Sequence, residues 1–437
     1  MSGTKPKGGD TSSFSARLLA IPPVVLHARY TAGDVTENRP FANLAEVWVD
    51  STRRAAALRA TGTDPVLISG NGSDFEKMKA FLSALPRTVG STLHADARAD
   101  ARLLGAEGAF LSDDAEELWT KTSAALSAGE FTPRRVLSGN KVSFISCRPQ
   151  ESACLPLPEG CLPLFEADAL LEVGTDSFLP YVRAVESATG LPIANLAELE
   201  AALSVLLTRF ATSHAPAVTV SLAHYGAFVK PNPYHAAQYF EKAISGKRHA
   251  LSEPEAALLR TQLVRLLATL CACHGLRLIC RFTSKNDARF GGYSVSALAE
   301  LLDYLREWDV LCPTLLVFPA ATLPQTLSAL LDRFQTTEGT PLLFVGLAAA
   351  GALPHDVRRA IRTLLSAGKA PLFLGMCDDD AGLLASPARV RFATALADVL
   401  AEWVRDGIGF GEDALLFEAA RSVWSEAMMC FLFPQQK

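Results

Sequence analysis

The chain of 437 residues is 49% hydrophobic and 20% charged, so it can bury a large core and is unlike a disordered protein. Its formal net charge of −5 gives no electrostatic basis for binding nucleic acid, which requires a basic domain or stripe. No apolar run approaches the roughly 18 uncharged residues of a transmembrane helix, so we expect no membrane partner.

The beginning of the chain is polar. Its first fifteen residues are rich in Gly, Ser, Thr and Lys and lack the apolar segment of a signal peptide. We therefore predict a disordered tail at 1–15 and a cytoplasmic protein. The nine cysteines agree with this location, because an odd number without a regular spacing is typical of reduced thiols in an intracellular protein.

Eight short apolar runs recur along the chain, and segments of helical length separate most of them. Such runs, alternating with helices, are typical of strands in a parallel sheet that is buried on both faces. Eight of them predict a (β/α)8 TIM barrel, in which the C-terminal ends of the strands form the active-site face. The runs are 24–26, 142–145, 162–165, 218–222, 276–280, 315–318, 342–345 and 371–376.

The long region between the first two runs has a different pattern. Residues 31–140 look mostly helical and contain no further strand–helix unit. We predict a helical insertion at 31–140, placed after strand 1, and a barrel formed by 16–30 and 141–437. The last helix, 413–431, carries large apolar residues at helical spacing, which predicts contact with the barrel wall or with a second copy in a homo-oligomer.

Carboxylates and imidazoles follow several of the runs. Asp378, Asp379 and Asp380 follow the eighth run, and three adjacent like charges favour a nearby cation or metal, although two of them could be loop or capping residues. His27 and His224 are the histidines that fall at strand ends. With Asp379 they form a candidate set for one divalent metal ion, such as zinc, with the fourth position open as in catalytic sites. The alternative is that these histidines are hydrogen-bonded structural residues and that no metal binds.

Arginines also follow the runs, at Arg29, Arg148 and Arg281. A planar guanidinium matches a carboxylate in a bidentate manner, so these residues predict a small acidic sugar or another small carboxylate as the binding partner. The alternative is a self-neutralising network, in which Glu166, Asp168 and the three aspartates after the eighth run pair with the arginines internally.

Several longer segments keep one order from about residue 20 to 433. They include Phe41-Ala42-Asn43-Leu44, 59–62, 86–94, Asp114-Ala115-Glu116-Glu117-Leu118-Trp119, 130–134, Gly375-Met376 with Asp379, and 401–404. In these segments the chain resembles the uronate isomerase family, metal-assisted barrel enzymes of the amidohydrolase superfamily. The resemblance implies aldose–ketose isomerisation of a hexuronate such as glucuronate or galacturonate, with Asp379 as the catalytic base.

The strand-end motifs depart from the pattern of that family. The His-x-His after strand 1 is His27-Ala28-Arg29, so an arginine replaces one implied metal ligand. The Phe-Arg-Pro-Asp after strand 3 is Phe165-Glu166-Ala167-Asp168, which reverses the charge at the implied substrate-binding arginine, and Arg281 replaces a histidine after strand 5. Two hypotheses follow: a divergent isomerase, or a non-catalytic homologue that binds a small carboxylate or a partner protein.

Overall fold

The structure is a computed structural model of the chain. It describes residues 11–26, 30–49, 52–68, 70–112, 114–129, 131–151, 157–223, 225, 227–245, 251–282, 294–336, 338–377, 384, 386–408 and 412–434. Four residues of the predicted site, His27, Arg29, His224 and Asp379, lie outside these ranges.

Eight strands form one sheet, in which each strand pairs in parallel with the next along the chain. The backbone N–H of Leu26 donates to the carbonyl oxygen of Cys377 at 3.1 Å, which joins the chain after the first strand to the chain after the last. All eight predicted strands are present, and the prediction of a TIM barrel is confirmed. The strands are β1 (Val24–Val25), β2 (Val142–Cys147), β3 (Cys161–Glu166), β4 (Ala217–Ser221), β5 (Arg277–Arg281), β6 (Thr314–Pro319), β7 (Leu343–Ala348) and β8 (Phe373–Met376).

A helix near the N-terminus corrects one prediction. Because α1 (Thr11–Leu19) is helical, the predicted disordered tail is wrong for residues 11–15, whereas residues 1–10 lie outside the described part of the chain. Leu18 is buried in the main core, and the Phe14 ring packs edge-on against Phe417 with centroids 5.6 Å apart. These two apolar residues, one helical turn apart, pack the segment against the rest of the protein, which its polar composition did not indicate.

The described residues between β1 and β2 form helices and 3-10 turns around a hydrophobic core of their own. At its centre, the Trp48 ring lies 5.4 Å from that of Phe81 and 6.1 Å from that of Phe110. This second core buries apolar residues of the six helices in the middle of the insertion, whereas Val35 and Leu137, in its first and last helices, belong to the main core. The helices are α2 (Ala32–Glu37), α3 (Leu44–Trp48), α4 (Thr52–Ala60), α5 (Asp74–Ala84), α6 (Leu93–Leu103), α7 (Glu107–Leu111), α8 (Ala115–Ser127) and α9 (Pro133–Leu137).

Helices that follow the later strands cover the outside of the barrel. They are α10 (Asp168–Leu171), α11 (Phe178–Thr189), α12 (Leu196–Thr212), α13 (Pro233–Ile244), α14 (Glu253–His274), α15 (Val295–Glu307), α16 (Leu327–Arg333), α17 (Pro354–Ser366) and α18 (Pro387–Arg405). In the part of the chain that the structure describes, α14 alone has the length and apolar composition of a membrane span, and 61% of its most apolar stretch is buried. Its buried residues, such as Leu259 and Leu263, belong to the main core, so packing in the barrel accounts for this composition.

The C-terminal segment closes the N-terminal end of the barrel. It comprises α19 (Asp413–Arg421), a π-helical turn at Ser422–Glu426, and α20 (Ala427–Leu432). Met428 and Phe431 pack with the side chains inside the barrel, and the guanidinium of Arg277, at the start of β5, donates to the carbonyl oxygen of Phe431 at 2.9 Å. The apolar residues of the last helix therefore contact the barrel. This is one of the two alternatives predicted from their spacing, the other being contact with a second copy of the chain.

A buried ion pair joins the insertion to the barrel. The Asp96 carboxylate of α6 pairs with the Arg391 guanidinium of α18 and accepts a hydrogen bond from the Thr92 hydroxyl at 2.8 Å. The Asp96 side chain is 1% exposed and that of Arg391 is 12% exposed. Leu384, which precedes α18, belongs to the insertion core. The insertion therefore holds the beginning of the helix that follows β8.

We predict that Gly375→Ala is far more destabilising than Gly368→Ala. Both glycines have positive φ, 76° and 70°, so each alanine costs about 1–2 kcal/mol in backbone strain. A Cβ at Gly375 would also collide with the carbonyl oxygen of Val423 in the π-helical turn, whereas a Cβ at Gly368 meets nothing within 4 Å. We expect about 1–3 kcal/mol of additional loss at Gly375 from overpacking, measured by urea unfolding. Equal losses for the two variants would contradict the close packing of the C-terminal segment on β8.

We predict that Arg391→Met lowers the free energy of unfolding by about 3–5 kcal/mol, because it removes one partner of a buried ion pair. The control is Arg359→Met, which removes a guanidinium that is 60% exposed and paired with Asp356, and which should cost less than about 1 kcal/mol. Chemical denaturation followed by circular dichroism measures both. A cost for Arg391→Met no greater than that of the control would show that the ion pair does not hold the insertion.

Candidate functional site

A cavity of about 380 Å³ opens at the C-terminal ends of the strands. We call it the mouth cavity. Its polar lining residues are the acidic Glu166, Asp168, Glu172 and Asp176, the basic Arg148 and Arg260, and the neutral Gln150, Thr175, Ser177, Tyr181, Ser221 and Tyr225. The volume is suited to a small molecule, and the lining holds four carboxylates and two guanidinium groups beside hydroxyls and an amide that can donate or accept.

The ends of three neighbouring strands place these groups. Arg148 follows β2 directly, Glu166 is the last residue of β3, and Ser221 is the last residue of β4. Asp168 begins the short helix after β3, which turns its side chain back over the strand ends. Because parallel strands all end at one rim, residues far apart in sequence surround one cavity.

A buried ion pair lies beside the mouth cavity. Arg281, the last residue of β5, donates through Nη2 to Oδ2 of Asp168 and through Nε to Oγ1 of Thr219 at 3.0 Å. Thr219 is the register partner of Glu166, so the guanidinium reaches across β4 to the end of β3. The side chains of Arg281 and Asp168 are 4% and 13% exposed. This pair belongs to the internal charge network that the sequence offered as an alternative to carboxylate binding.

Arg148 is placed differently from Arg281. Its side chain is exposed, lines the mouth cavity and forms no ion pair with the residues that the structure describes. Its backbone N–H donates to Oε2 of Glu151 at 3.0 Å, and the backbone N–H of Glu151 donates back to the carbonyl oxygen of Arg148. These two bonds hold the turn after β2 and present the guanidinium to the cavity.

Two other groups at the rim stay neutral. The buried Tyr181 hydroxyl donates to the carbonyl oxygen of Glu166 at 3.1 Å, and burial together with the Glu166 and Asp168 carboxylates raises the pKa of Tyr181 well above its usual value. Burial and the Glu151 carboxylate raise the pKa of the Cys147 thiol to about 12. Neither residue is therefore an ionised nucleophile at neutral pH.

The remaining predicted residues flank described positions at the same rim. In sequence, His27 follows Leu26, and Asp379 lies two residues after Cys377. The backbone N–H of Leu26 donates to the carbonyl oxygen of Cys377. Within the described ranges, no three His, Cys, Asp or Glu side chains form a group that could hold a metal ion. The predicted ligand set lies outside those ranges.

Sequence reasoning missed several lining residues. Tyr181 lies on α11 and Arg260 lies on α14, and neither residue adjoins a strand end in sequence. The Arg260 guanidinium donates to Oε1 of Glu253 at 2.7 Å, which keeps it at the outer wall of the cavity. No sequence signal connected either residue with the strand ends, because both reach the cavity from the helical layer.

Comparison with known proteins identifies relatives along the whole chain. A family model described as glucuronate isomerase matches residues 10–421. The uronate isomerases of Salmonella typhimurium and Salmonella enteritidis are each 23% identical over 431 residues, which cover 91% of this chain and 91% of theirs. Among solved structures, a glucuronate isomerase from Caulobacter crescentus aligns with a TM-score of 0.79 at 15% identity, over 100% of this chain and 98% of that one. A uronate isomerase from Thermotoga maritima aligns with a TM-score of 0.76 at 20% identity, over 96% and 97%.

We predict that iodoacetamide at pH 8 alkylates Cys273 and Cys430 in the native protein but leaves Cys147 unmodified. The first two thiols are exposed, whereas a pKa of about 12 leaves Cys147 with a thiolate fraction on the order of a thousandfold below that of a free thiol. Peptide mass mapping measures each site, and unfolding in urea should make all three reactive. Rapid native labelling of Cys147 would contradict the packed rim after β2.

Proposed function

Since the chain belongs to the glucuronate isomerase family, we propose that it is a uronate isomerase-like protein that interconverts the aldose and ketose forms of a hexuronate, such as glucuronate or galacturonate. The observation that carries the proposal is the family match over residues 10–421, which spans the barrel and every predicted site residue. The substrate is a small acidic sugar, bound at the mouth cavity. The free thiols of the described cysteines support work in a reducing, cytoplasmic environment.

Aldose–ketose isomerisation moves a proton between two adjacent carbons through an enediolate, so it needs a base and a group that stabilises negative charge. We assign the base to Asp379. The donor set of His27, His224 and Asp379 suits a divalent ion such as zinc, because two imidazoles and a carboxylate leave one position open. Such an ion, when bound, would polarise the carbonyl of the sugar.

The substrate carboxylate needs a cation, and Arg148 is the described residue best placed to supply it. Its guanidinium lines the mouth cavity, is exposed and is not committed to an ion pair with the described residues. We assign a supporting role to Arg29, which follows β1. Arg281 is the third proposed carboxylate ligand, and its guanidinium pairs with Asp168.

The second candidate is a non-catalytic homologue that binds a small carboxylate or a partner protein. The ion pair between Arg281 and Asp168 favours it, because a buried guanidinium stands at the end of β5, where the family resemblance implies a histidine. Arg29 likewise stands where the resemblance implies a metal ligand. In this candidate the barrel mouth retains binding but lacks the groups for proton transfer.

An isomerase assay on D-glucuronate and D-galacturonate, with added zinc and an active uronate isomerase alongside, tests the first proposal. We expect turnover, a loss of at least about 100-fold in kcat for Asp379→Asn, and a rise of about tenfold in KM for Arg148→Met. Arg405→Met is the matched control, since Arg405 is exposed at the end of α18, away from the rim, and it should leave both constants unchanged.

The absence of turnover beside the active control enzyme would overturn the isomerase proposal. Isothermal titration of the same preparation with D-glucuronate then tests the second candidate. Saturable binding without turnover supports a non-catalytic homologue that binds a carboxylate, and the absence of both excludes that ligand.

A further inference from the structure

Two carboxylates of the mouth cavity lie one helical turn apart. Asp168 is the first residue of α10, and Glu172 follows its last residue. The two are four positions apart, a spacing that places side chains on one face of a helix, and both line the cavity. Like charges at this spacing repel each other. A cation beside them would relieve that repulsion, so this wall of the cavity favours a positively charged group.

The same wall offers hydrogen-bond acceptors. Oδ2 of Asp168 accepts from Arg281, whereas Oδ1 is buried and has no hydrogen-bond partner in the described structure. The Glu172 side chain is half-buried and forms no ion pair with the residues that the structure describes. A buried acceptor without a donor is unfavourable, so a ligand that brings N–H donors to α10 would be stabilised there.

The guanidinium of Arg260 lines the cavity but does not neutralise Glu172. Its Nη1 donates to Oε1 of Glu253 at 2.7 Å, and its Nη2 donates to the carbonyl oxygen of Val173 at 3.4 Å. Glu253 is 79% exposed, so the charge of Arg260 is directed toward the outer surface. Over the whole lining, four carboxylates accompany two guanidinium groups. A ligand whose one charged group is a carboxylate increases this excess of negative charge, which disfavours its binding.

The cavity nevertheless contains a cation that can bind a carboxylate. Arg148 follows β2, whereas α10 follows β3, so the cation and the two carboxylates come from neighbouring strands of the barrel. A guanidinium matches a carboxylate, and an ammonium group brings a positive charge with three donors. The lining is therefore complementary to a ligand that carries both charges.

We propose that the ligand of the mouth cavity is an amino-substituted hexuronate, with its carboxylate on Arg148 and its ammonium group on Glu172 and Asp168. This inference rests on the proposed function, because it takes a hexuronate as the ligand and adds one substituent. The amine is on a carbon other than the first two. Isomerisation moves a proton between those two carbons, so it leaves the carbon–nitrogen bond intact.

Isothermal titration of the wild-type chain with four sugars tests the proposal. They are D-glucuronate, its two analogues in which an amine replaces the hydroxyl of the third or of the fourth carbon, and D-glucosamine, which lacks the carboxylate. At about pH 6.5 an amine is protonated and a carboxyl group is ionised. We expect at least one analogue to bind about tenfold more tightly than D-glucuronate, because it gains a charge-assisted hydrogen bond. D-glucosamine should bind more weakly than that analogue. If neither analogue is preferred over D-glucuronate, the proposal is overturned.

Glu172→Gln tests the residue that gives the preference. The variant should bind the preferred analogue about tenfold more weakly than the wild type, and D-glucuronate as tightly or more tightly, because it removes a negative charge. Damage to the fold would weaken both ligands, so a parallel loss overturns the role of Glu172. The matched control is Glu159→Gln, in the exposed turn before β3 at the end of that strand away from the cavity, and it should bind all four sugars like the wild type.

The outcomes separate this inference from the proposed function. Turnover of D-glucuronate without a preference for either analogue overturns the inference and leaves the proposed function standing. Tight binding of an analogue without turnover of any hexuronate supports the inference and overturns the isomerase. If no hexuronate binds, with or without an amine, both fail.

Discussion

A parallel sheet must be covered on both faces, and closure into a barrel is the constraint on which the rest of this molecule depends. The hydrogen bond from Leu26 to Cys377 joins the two ends of the sheet, and α20 fills the N-terminal opening with Met428 and Phe431. The outer face is covered by the helices that connect the strands. Once the barrel is closed, all eight strands end at one rim, and any polar residue there must share a small space with the others.

The charges at that rim follow from the cost of burial. Arg281 is almost fully buried, so it requires an anion, and Asp168 supplies one from the turn after β3. Cys147 and Tyr181 lie at the same rim and stay neutral, because burial and nearby carboxylates raise the pKa of each. Arg148 remains exposed at the cavity. The mouth therefore contains one guanidinium neutralised inside the protein and one that can attract a ligand from solvent.

The insertion after β1 has a structural connection to this rim. Six of its helices share a core of their own, and the buried pair between Asp96 and Arg391 attaches it to the beginning of α18. The segment that carries the proposed base, Asp379, runs between β8 and α18. Leu384 in that segment belongs to the insertion core. The insertion therefore contacts the barrel part of the chain at Leu384 and at the beginning of α18.

The sequence by itself determined the barrel, because short apolar runs that alternate with helices have few other ways to bury both faces of their strands. It also determined the family, through segments that keep their order along the chain, and it placed Arg148, Glu166, Asp168 and Arg281 at strand ends. The prediction from sequence was wrong for residues 11–15, where Phe14 and Leu18 pack in a helix that the polar composition did not indicate.

The sequence alone did not decide whether Arg281 contacts a ligand or an internal carboxylate. The answer depends on the direction in which the Arg281 side chain crosses β4, and on its lying within hydrogen-bond distance of Asp168. Tyr181 and Arg260 show the same limit, since they reach the cavity from helices whose packing on the barrel no local pattern encodes. Only the tertiary structure decided these contacts, because burial and pairing of charge are properties of groups brought together from distant parts of the chain.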